Sequence, residues 1–327
     1  METQKQTTQK KESKMRKFNQ DRGFGIEIEL ACSKSKEVIA QLISDAGVVC
    51  ESESYNHMTV SYWKIVKDVS INPSSGARYT MEIVSPILYG TAGLAELNKV
   101  LNVLNNTDGV TTKVNKSMGI HVHHDLTNWR NGTRENFANN MNNLVSLVSK
   151  YEHCLFSLLP PSRQSQWCRP VREFMIDYRT NDVCSYTNRV RTLKRIHRNE
   201  DLGSFQENPT SGRSGMRYCG LNFANLFTRG SVEFRYHQAS TNIQKLSAWI
   251  VFTQAFVETA ELKKSISYTD AMTRTTVASA LRRLRCDLGL TKANNDFYLQ
   301  GCDAEIKRRY HLYKTNAVTN SFVAVAR

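Results

Sequence analysis

The chain has 327 residues, 40% of them hydrophobic and 23% charged, the composition of a globular protein with one large domain or two small ones. No run of about 18 apolar residues occurs, which argues against a membrane-spanning helix, and residues 1–20 hold no apolar segment of the secretory type. The net charge of +14 is concentrated at the ends, +4 over residues 1–20 and +6 from Glu261 onward; it favours anionic partners such as nucleotides, acidic peptides or nucleic acid, unless it is only the solvated surface of a basic protein.

Residues 1–20 are polar and predicted to be a disordered basic tail ending near Asp21. A strand follows at Ile26–Leu30. Ser35 then caps a helix with the stripe Val38, Ile39, Leu42, Ile43 and Ala46, ended by Gly47. Residues 60–71 and 79–85 read as two strands around the turn Asn72–Gly76. A helix from about Thr91 carries Leu94, Leu97, Leu101 and Leu104 on one side, and 119–125 is again a strand. A long helix over 134–159 keeps Phe137, Met141, Leu144, Val148, Tyr151 and Leu155 in register until Pro160-Pro161 stops it.

Residues 160–215 are polar and irregular, with one helix expected near 186–198, and read as an insertion. Strands return at 217–224 and 231–237. Thr241-Asn242-Ile243-Gln244 has capping-box spacing and opens a helix with Leu246, Trp249, Ile250, Phe256, Val257 and Ala260. Residues 265–327 form a basic helical extension, with Leu281, Leu284 and Leu288 beside Arg282, Arg283 and Arg285. The main domain is therefore drawn at 21–264. Strand pairs with intervening helices, without a strict βαβ rhythm, indicate an α+β fold with an antiparallel sheet. The eight cysteines include no C-x-x-C pair and read as reduced thiols of a cytoplasmic protein.

Chemistry is concentrated where strands alternate apolar residues with acids, histidines or an arginine. Residues two apart in a strand share a face. Glu27 and Glu29 therefore project together, as do Asp68 and Ser70, His121 and His123, and Glu233 and Arg235. Converging carboxylates, with Glu82 from a neighbouring strand, suit hard cations, although a pair of glutamates is also compatible with the wet face of an edge strand. Imidazole accepts Mn2+ and Mg2+ less readily than Zn2+, so one of the two histidines is expected as a ligand. The H-x-H element also opens hydrolase metal sites, but His121-Val122-His123-His124-Asp125 is out of register for that motif. Arg235 offers a planar fork for a carboxylate or phosphate, or simply a salt bridge to Glu233. Asn222 is suited to hold a substrate amide or a ribose. No glycine-rich phosphate loop occurs.

In order along the chain stand G-x-E-x-E at Gly25–Glu29, W-x-x-x-x-D-x-S at Trp63–Ser70 and E-x-x-S-P at Glu82–Pro86. They are followed by G-x-H-V-H at Gly119–His123, R-Y-x-x-x-N at Arg217–Asn222 and E-F-R at Glu233–Arg235. This series, spanning roughly residues 22–262, resembles the amidoligase family of carboxylate–amine ligases. The resemblance implies a glutamine-synthetase-like fold, with helices packed on one face of the sheet and the active site on its concave face. It implies ATP and Mg2+ or Mn2+ as cofactors, and amino-acid, peptide or other small carboxylates and amines as substrates. By the same resemblance Glu27, Glu29, Glu82, His121 and Glu233 are metal ligands. His123, Arg217, Asn222 and Ser70 contact the nucleotide, and Arg235 and Asp68 act on the substrate. One departure is Ser117-Met118, where the family often has a cysteine before G-x-H-V-H. Two other classes remain: a noncatalytic nucleotide- or nucleic-acid-binding protein on the same scaffold, and a metal-dependent hydrolase.

Overall fold

Strand β1 (Gly23–Cys32) is the axis of the protein because its alternation is nearly perfect. Ile26, Ile28 and Leu30 are at most 1% exposed and face the core, leaving Glu27 and Glu29 on the opposite face. The computed structural model describes residues 16–56, 58–165, 168–171, 176–177, 182–183, 218–266, 275–292 and 295–314. Helix α1 (Lys36–Asp45) leads to β2 (Cys50–Glu53), β3 (Trp63–Lys67) and β4 (Tyr79–Val84). The short β5 (Leu88–Tyr89) runs into α2 (Gly90–Asn106), followed by β6 (Thr112–Lys113), β7 (Gly119–Asp125), α3 (Thr127–Arg130) and α4 (Arg134–Phe156). A small pair, β8 (Ile176–Asp177) and β9 (Asp182–Val183), stands apart. Then come β10 (Leu221–Asn222), α5 (Leu226–Arg229), β11 (Ser231–Gln238), α6 (Ile243–Leu262), α7 (Val277–Asp287) and α8 (Phe297–Tyr313).

The main sheet has the order β10-β11-β7-β1-β4-β3-β2, with β5 and β6 paired to the two ends of β1. Every pairing in it is antiparallel except β2 with β3. The protein is thus mixed α and β, built on a large, mostly antiparallel open sheet, as the strand rhythm predicted. Helices cover one face. Ile39 and Ile43 of α1, the leucines of α2, and buried residues of α4 and α6 join the core side chains of β1, β4, β7 and β11 in one hydrophobic cluster.

Helix α6 is buried almost all round from Leu246 to Ala260, the signature of a helix with protein on every side. It contacts β7, α2 and α4, and α8 packs along it. The C-terminal helices therefore belong to the common core: Leu281, Leu284, Leu299, Cys302 and Ile306 lie in the same cluster. So do residues 16–20; the rest of the expected tail, residues 1–15, lies outside the described residues. Phe18 is 3% exposed and its N–H donates to Asp296 Oδ2 at 2.9 Å. Arg16 donates to Thr259 Oγ1 at 2.6 Å and to the Leu288 carbonyl. Residues 16–20, expected in a disordered tail, are ordered because Phe18 has an apolar site between the first and last segments of the chain.

Other expectations need smaller corrections. The strand predicted over 60–71 closes at Lys67, because Asp68 Oδ1 accepts from both the N–H and the hydroxyl of Ser70 at 2.7 Å and so turns the chain. The strand predicted over 217–224 is reduced to Leu221–Asn222. Asn242 caps α6, accepting from Lys245 N–H at 3.0 Å, one residue beyond the predicted box. Arg217 and the helix expected near 186–198 lie outside the described residues. No disulfide joins the described cysteines. Among the described residues no helix is long and apolar enough to cross a membrane.

Candidate active site

The four central strands bring the sequence-predicted acids to one place. Across the sheet Glu29 faces Glu82, Glu27 faces His121, and His123 faces Glu233. His121 is the hub. Its Nδ1 lies 3.0 Å from Glu27 Oε2, 3.5 Å from Glu233 Oε1 and 4.0 Å from Glu82 Oε1, and its Nε2 lies 3.6 Å from Glu29 Oε1. Two triads result, Glu27–His121–Glu233 and Glu29–Glu82–His121, each with ligand atoms within 4.8 Å of one another. A neutral imidazole has a single lone pair for a metal, so His121 serves one triad at a time and the other is left to carboxylates. That donor set, mostly oxygen with one nitrogen, fits Mg2+ or Mn2+ better than zinc.

The electrostatics follow from crowding these acids in a partly dry site. Burial pushes the Glu82 carboxyl well above the ordinary range, and Glu27, Glu29, Asp68 and Glu233 push it further. Burial also raises Glu29, against the pull of His121 and of the Gly119 N–H, which donates to Glu29 Oε2 at 2.6 Å. Burial opposes ionisation of Glu27 too, but His123 and His121 hold it well below the usual value. Burial likewise opposes ionisation of Glu233, which Arg235 and the histidines nonetheless hold low. Burial disfavours the His123 cation, yet Glu27, with Oε1 3.2 Å from Nε2, keeps that imidazole's proton affinity raised. Carboxyls driven apart in this way mark a site whose acids are not all ionised together.

Arg235 donates from Nη1 to Glu233, and its buried Nε has no hydrogen-bond partner. It therefore retains a donor for an anionic group. Asn222 is 3% exposed and committed at both ends: Nδ2 donates to Glu233 Oε2 at 2.7 Å, and Oδ1 accepts from Ala224 N–H at 2.8 Å. In this structure its side chain is bonded to Glu233 and to the backbone, where the sequence pointed to a ribose or amide contact. Asp68 is half-buried and close enough to raise Glu29 and Glu82. Ser70 is exposed and engaged with Asp68.

His124 points the other way, as the alternation requires. It is fully buried against Thr253, 2.8 Å from Nε2 to Oγ1. Two neighbours of the site escaped the sequence reading. Lys64, 2% exposed, lies on the acid-bearing face beside Val84 and donates to Asn56 Oδ1 at 2.7 Å and to the Met58 carbonyl at 2.6 Å. The W-x-x-x-x-D-x-S motif contains it but does not single it out. The second is Arg163, in a short turn after α4, to which no motif led.

A family model described as "Putative amidoligase enzyme" matches residues 20–257, well over half of the chain, and the protein belongs to that family. A search of the curated proteins finds no match. The family is one of ligases, in agreement with the motif series.

Proposed function

We propose that the protein is an ATP-dependent carboxylate–amine ligase on a glutamine-synthetase-like scaffold, forming an amide or isopeptide bond through an acyl-phosphate. The observation that carries this reading is the convergence of Glu27, Glu29, Glu82 and Glu233 on His121 beside Arg235. Phosphoryl transfer needs mainly positioning and neutralisation of charge on the phosphate oxygens. Mg2+ or Mn2+ held by the two triads would supply that neutralisation. The chain's own residues do the rest. Glu27 and Glu233, held ionised, keep the first triad ready for a cation. Asn222 and Arg235 fix the two oxygens of Glu233. The unpartnered Nε of Arg235 binds the substrate carboxylate or the transferred phosphoryl group.

His123 and Ser70 are proposed as nucleotide contacts, and Asp68 as the group that orients the amine. The substrates are carboxylates and amines of amino acids, peptides or other small molecules. The test is release of ADP and phosphate from ATP with Mg2+ or Mn2+, screened against amino-acid and peptide mixtures, with mass spectrometry of the product. A new amide formed in step with ADP supports the ligase. Bond cleavage that proceeds equally without ATP would replace it by a metal-dependent hydrolase.

A further inference from the structure

The alternation of β11 breaks inside the site. Phe234 faces Val122 of β7, but His237 faces Ile120, so Arg235 and Tyr236 together oppose the single residue His121. This is a β-bulge, a device that re-aims a side chain at the cost of ladder hydrogen bonds. The bulge explains how Arg235 stays on the acid-bearing face while both Tyr236 and His237 are fully buried. Carbonyls released by a bulge need donors, because an unpaired buried carbonyl is costly.

The donors come from Arg163. It sits in the turn Pro161–Arg163 that follows α4 and is 6% exposed. Its Nη2 donates to the Arg235 carbonyl at 2.8 Å, its Nε to the Tyr236 carbonyl at 3.1 Å and its Nη1 to the Met118 carbonyl at 3.4 Å. Among the described residues no carboxylate pairs with it. The guanidinium also lies against Gly119: a Cβ there would fall 2.9 Å from Nη2 and 3.2 Å from Nη1. Gly119 has no left-handed backbone, so its bare α-carbon answers to this contact and not to a turn. The N–H of the same residue binds Glu29.

We propose that Arg163 is a positioning residue of the active site, which sets the β11 bulge and the Gly119 backbone and through them the aim of Arg235 and Glu29. The inference rests on the ligase reading only for its consequence in catalysis; the bulge itself is tested without it. A planar five-donor fork can bridge three carbonyls, and a lysine ammonium in its place cannot reproduce that geometry.

The test uses the full chain with Mn2+ as probe, comparing wild type, Arg163→Lys, Gly119→Ala, Arg163→Ala and the double variant Gly119→Ala/Arg163→Ala. Mn2+ affinity is read by calorimetry, melting temperature by calorimetry, and amide hydrogen exchange over residues 234–238. Arg163→Lys should weaken Mn2+ binding by about 10–100-fold, the range for lost support of a metal ligand. It should speed exchange across the bulge while the β1–β4 ladder is unchanged. Gly119→Ala should do the same alone and add nothing once Arg163 is alanine, because the two changes act on one contact.

Thr253→Val, a core change away from the acids, controls for stability loss, and it should leave Mn2+ binding intact. Wild-type Mn2+ affinity and bulge exchange in Arg163→Lys, or additive effects of the pair, would overturn the proposal. So would a loss of affinity no greater than that of the control at equal melting temperature. If Arg163→Lys does not fold, Gly119→Ala and the double variant decide. If the wild type binds no Mn2+, the metal centre of the ligase reading falls, while bulge exchange and non-additivity in melting temperature still judge Arg163.

Discussion

Replacing Glu82 by glutamine should stabilise the metal-free protein and strongly diminish its response to metal. Glu82 shares a triad with Glu29 whose ligand atoms lie within 4.8 Å. Two carboxylates at that separation repel by about 3 kcal/mol at an effective dielectric of about 20. Burial first, and then repulsion from Glu27, Glu29, Asp68 and Glu233, raise the proton affinity of the Glu82 carboxyl, so the fold resists its ionisation. A group raised on folding contributes stability that is complete below its unfolded value, near 4.5, and is lost as pH rises through the folded value.

At pH 7.5 the wild type has therefore lost stability that glutamine, which has no proton to lose, retains. The gain is smaller than the bare repulsion, about 1–2 kcal/mol, in the usual range for relief of such a conflict. It corresponds to roughly 2–6 °C in melting temperature for a domain of this size. Saturating Mn2+, at about 100 times its dissociation constant, should add about 2.7 kcal/mol to the wild type and far less to the variant. Melting curves at pH 5 and 7.5, with and without Mn2+, should cross. The variant is the more stable without metal at pH 7.5, the wild type the more stable with it, and the metal-free gap narrows at pH 5. A metal-free variant that melts below wild type at pH 7.5, or an undiminished Mn2+ shift, would refute the reasoning.

Further outcomes follow from single contacts. Arg235→Lys removes the planar fork, and turnover should fall by about 10²–10³-fold while Mn2+ still binds, which separates anion recognition from the metal centre in one titration. Asn222→Ala frees one oxygen of Glu233 and should weaken Mn2+ by about tenfold or more; unchanged affinity would remove Asn222 from the site. His121→Ala should lose metal binding and ligation yet fold. His124→Ala, which empties a buried position beside Thr253, should lower the melting temperature and leave Mn2+ affinity in place, and the reverse pattern would show the strand register to be wrong. A chain starting at Asp21 loses buried Phe18 and the bonds of Arg16. It should lose about 3–5 kcal/mol by analogy with truncating a core phenylalanine, whereas one starting at Arg16 retains those contacts, so a comparison of melting temperatures locates the true boundary.

What was legible in the sequence is what local periodicity encodes. The alternation of Glu27 and Glu29 with Ile26, Ile28 and Leu30 places the acids on one face whatever their neighbours, and the structure keeps that assignment. The same holds for His121 against His124, and for the stripe of α2. Pairing is a different matter. That Glu29 faces Glu82, and that His121 sits among four carboxylates, depends on strand order and register, which no single segment specifies. The packing of residues 16–20 was not legible for a related reason. Phe18 is a lone apolar residue among polar ones, and its burial depends on Asp296 and Tyr298, nearly the whole chain away.

The most consequential miss lies in β11. Read by alternation, Val232-Glu233-Phe234-Arg235-Tyr236-His237 puts His237 beside Arg235 on the acid-bearing face, yet it is buried against Trp249 with ring centroids 4.9 Å apart. The bulge that turns it away is invisible to periodicity, because its determinant, Arg163, stands some 70 residues earlier in a segment without a motif. Local rules fail where a strand must do something other than continue, and such places tend to be functional sites. Here the break falls opposite His121, the one residue common to both triads. A regular β11 would trade the opposition of Arg235 and Tyr236 to His121 for a continuous ladder. The irregularity is thus better understood as part of the site's construction than as a defect at its edge.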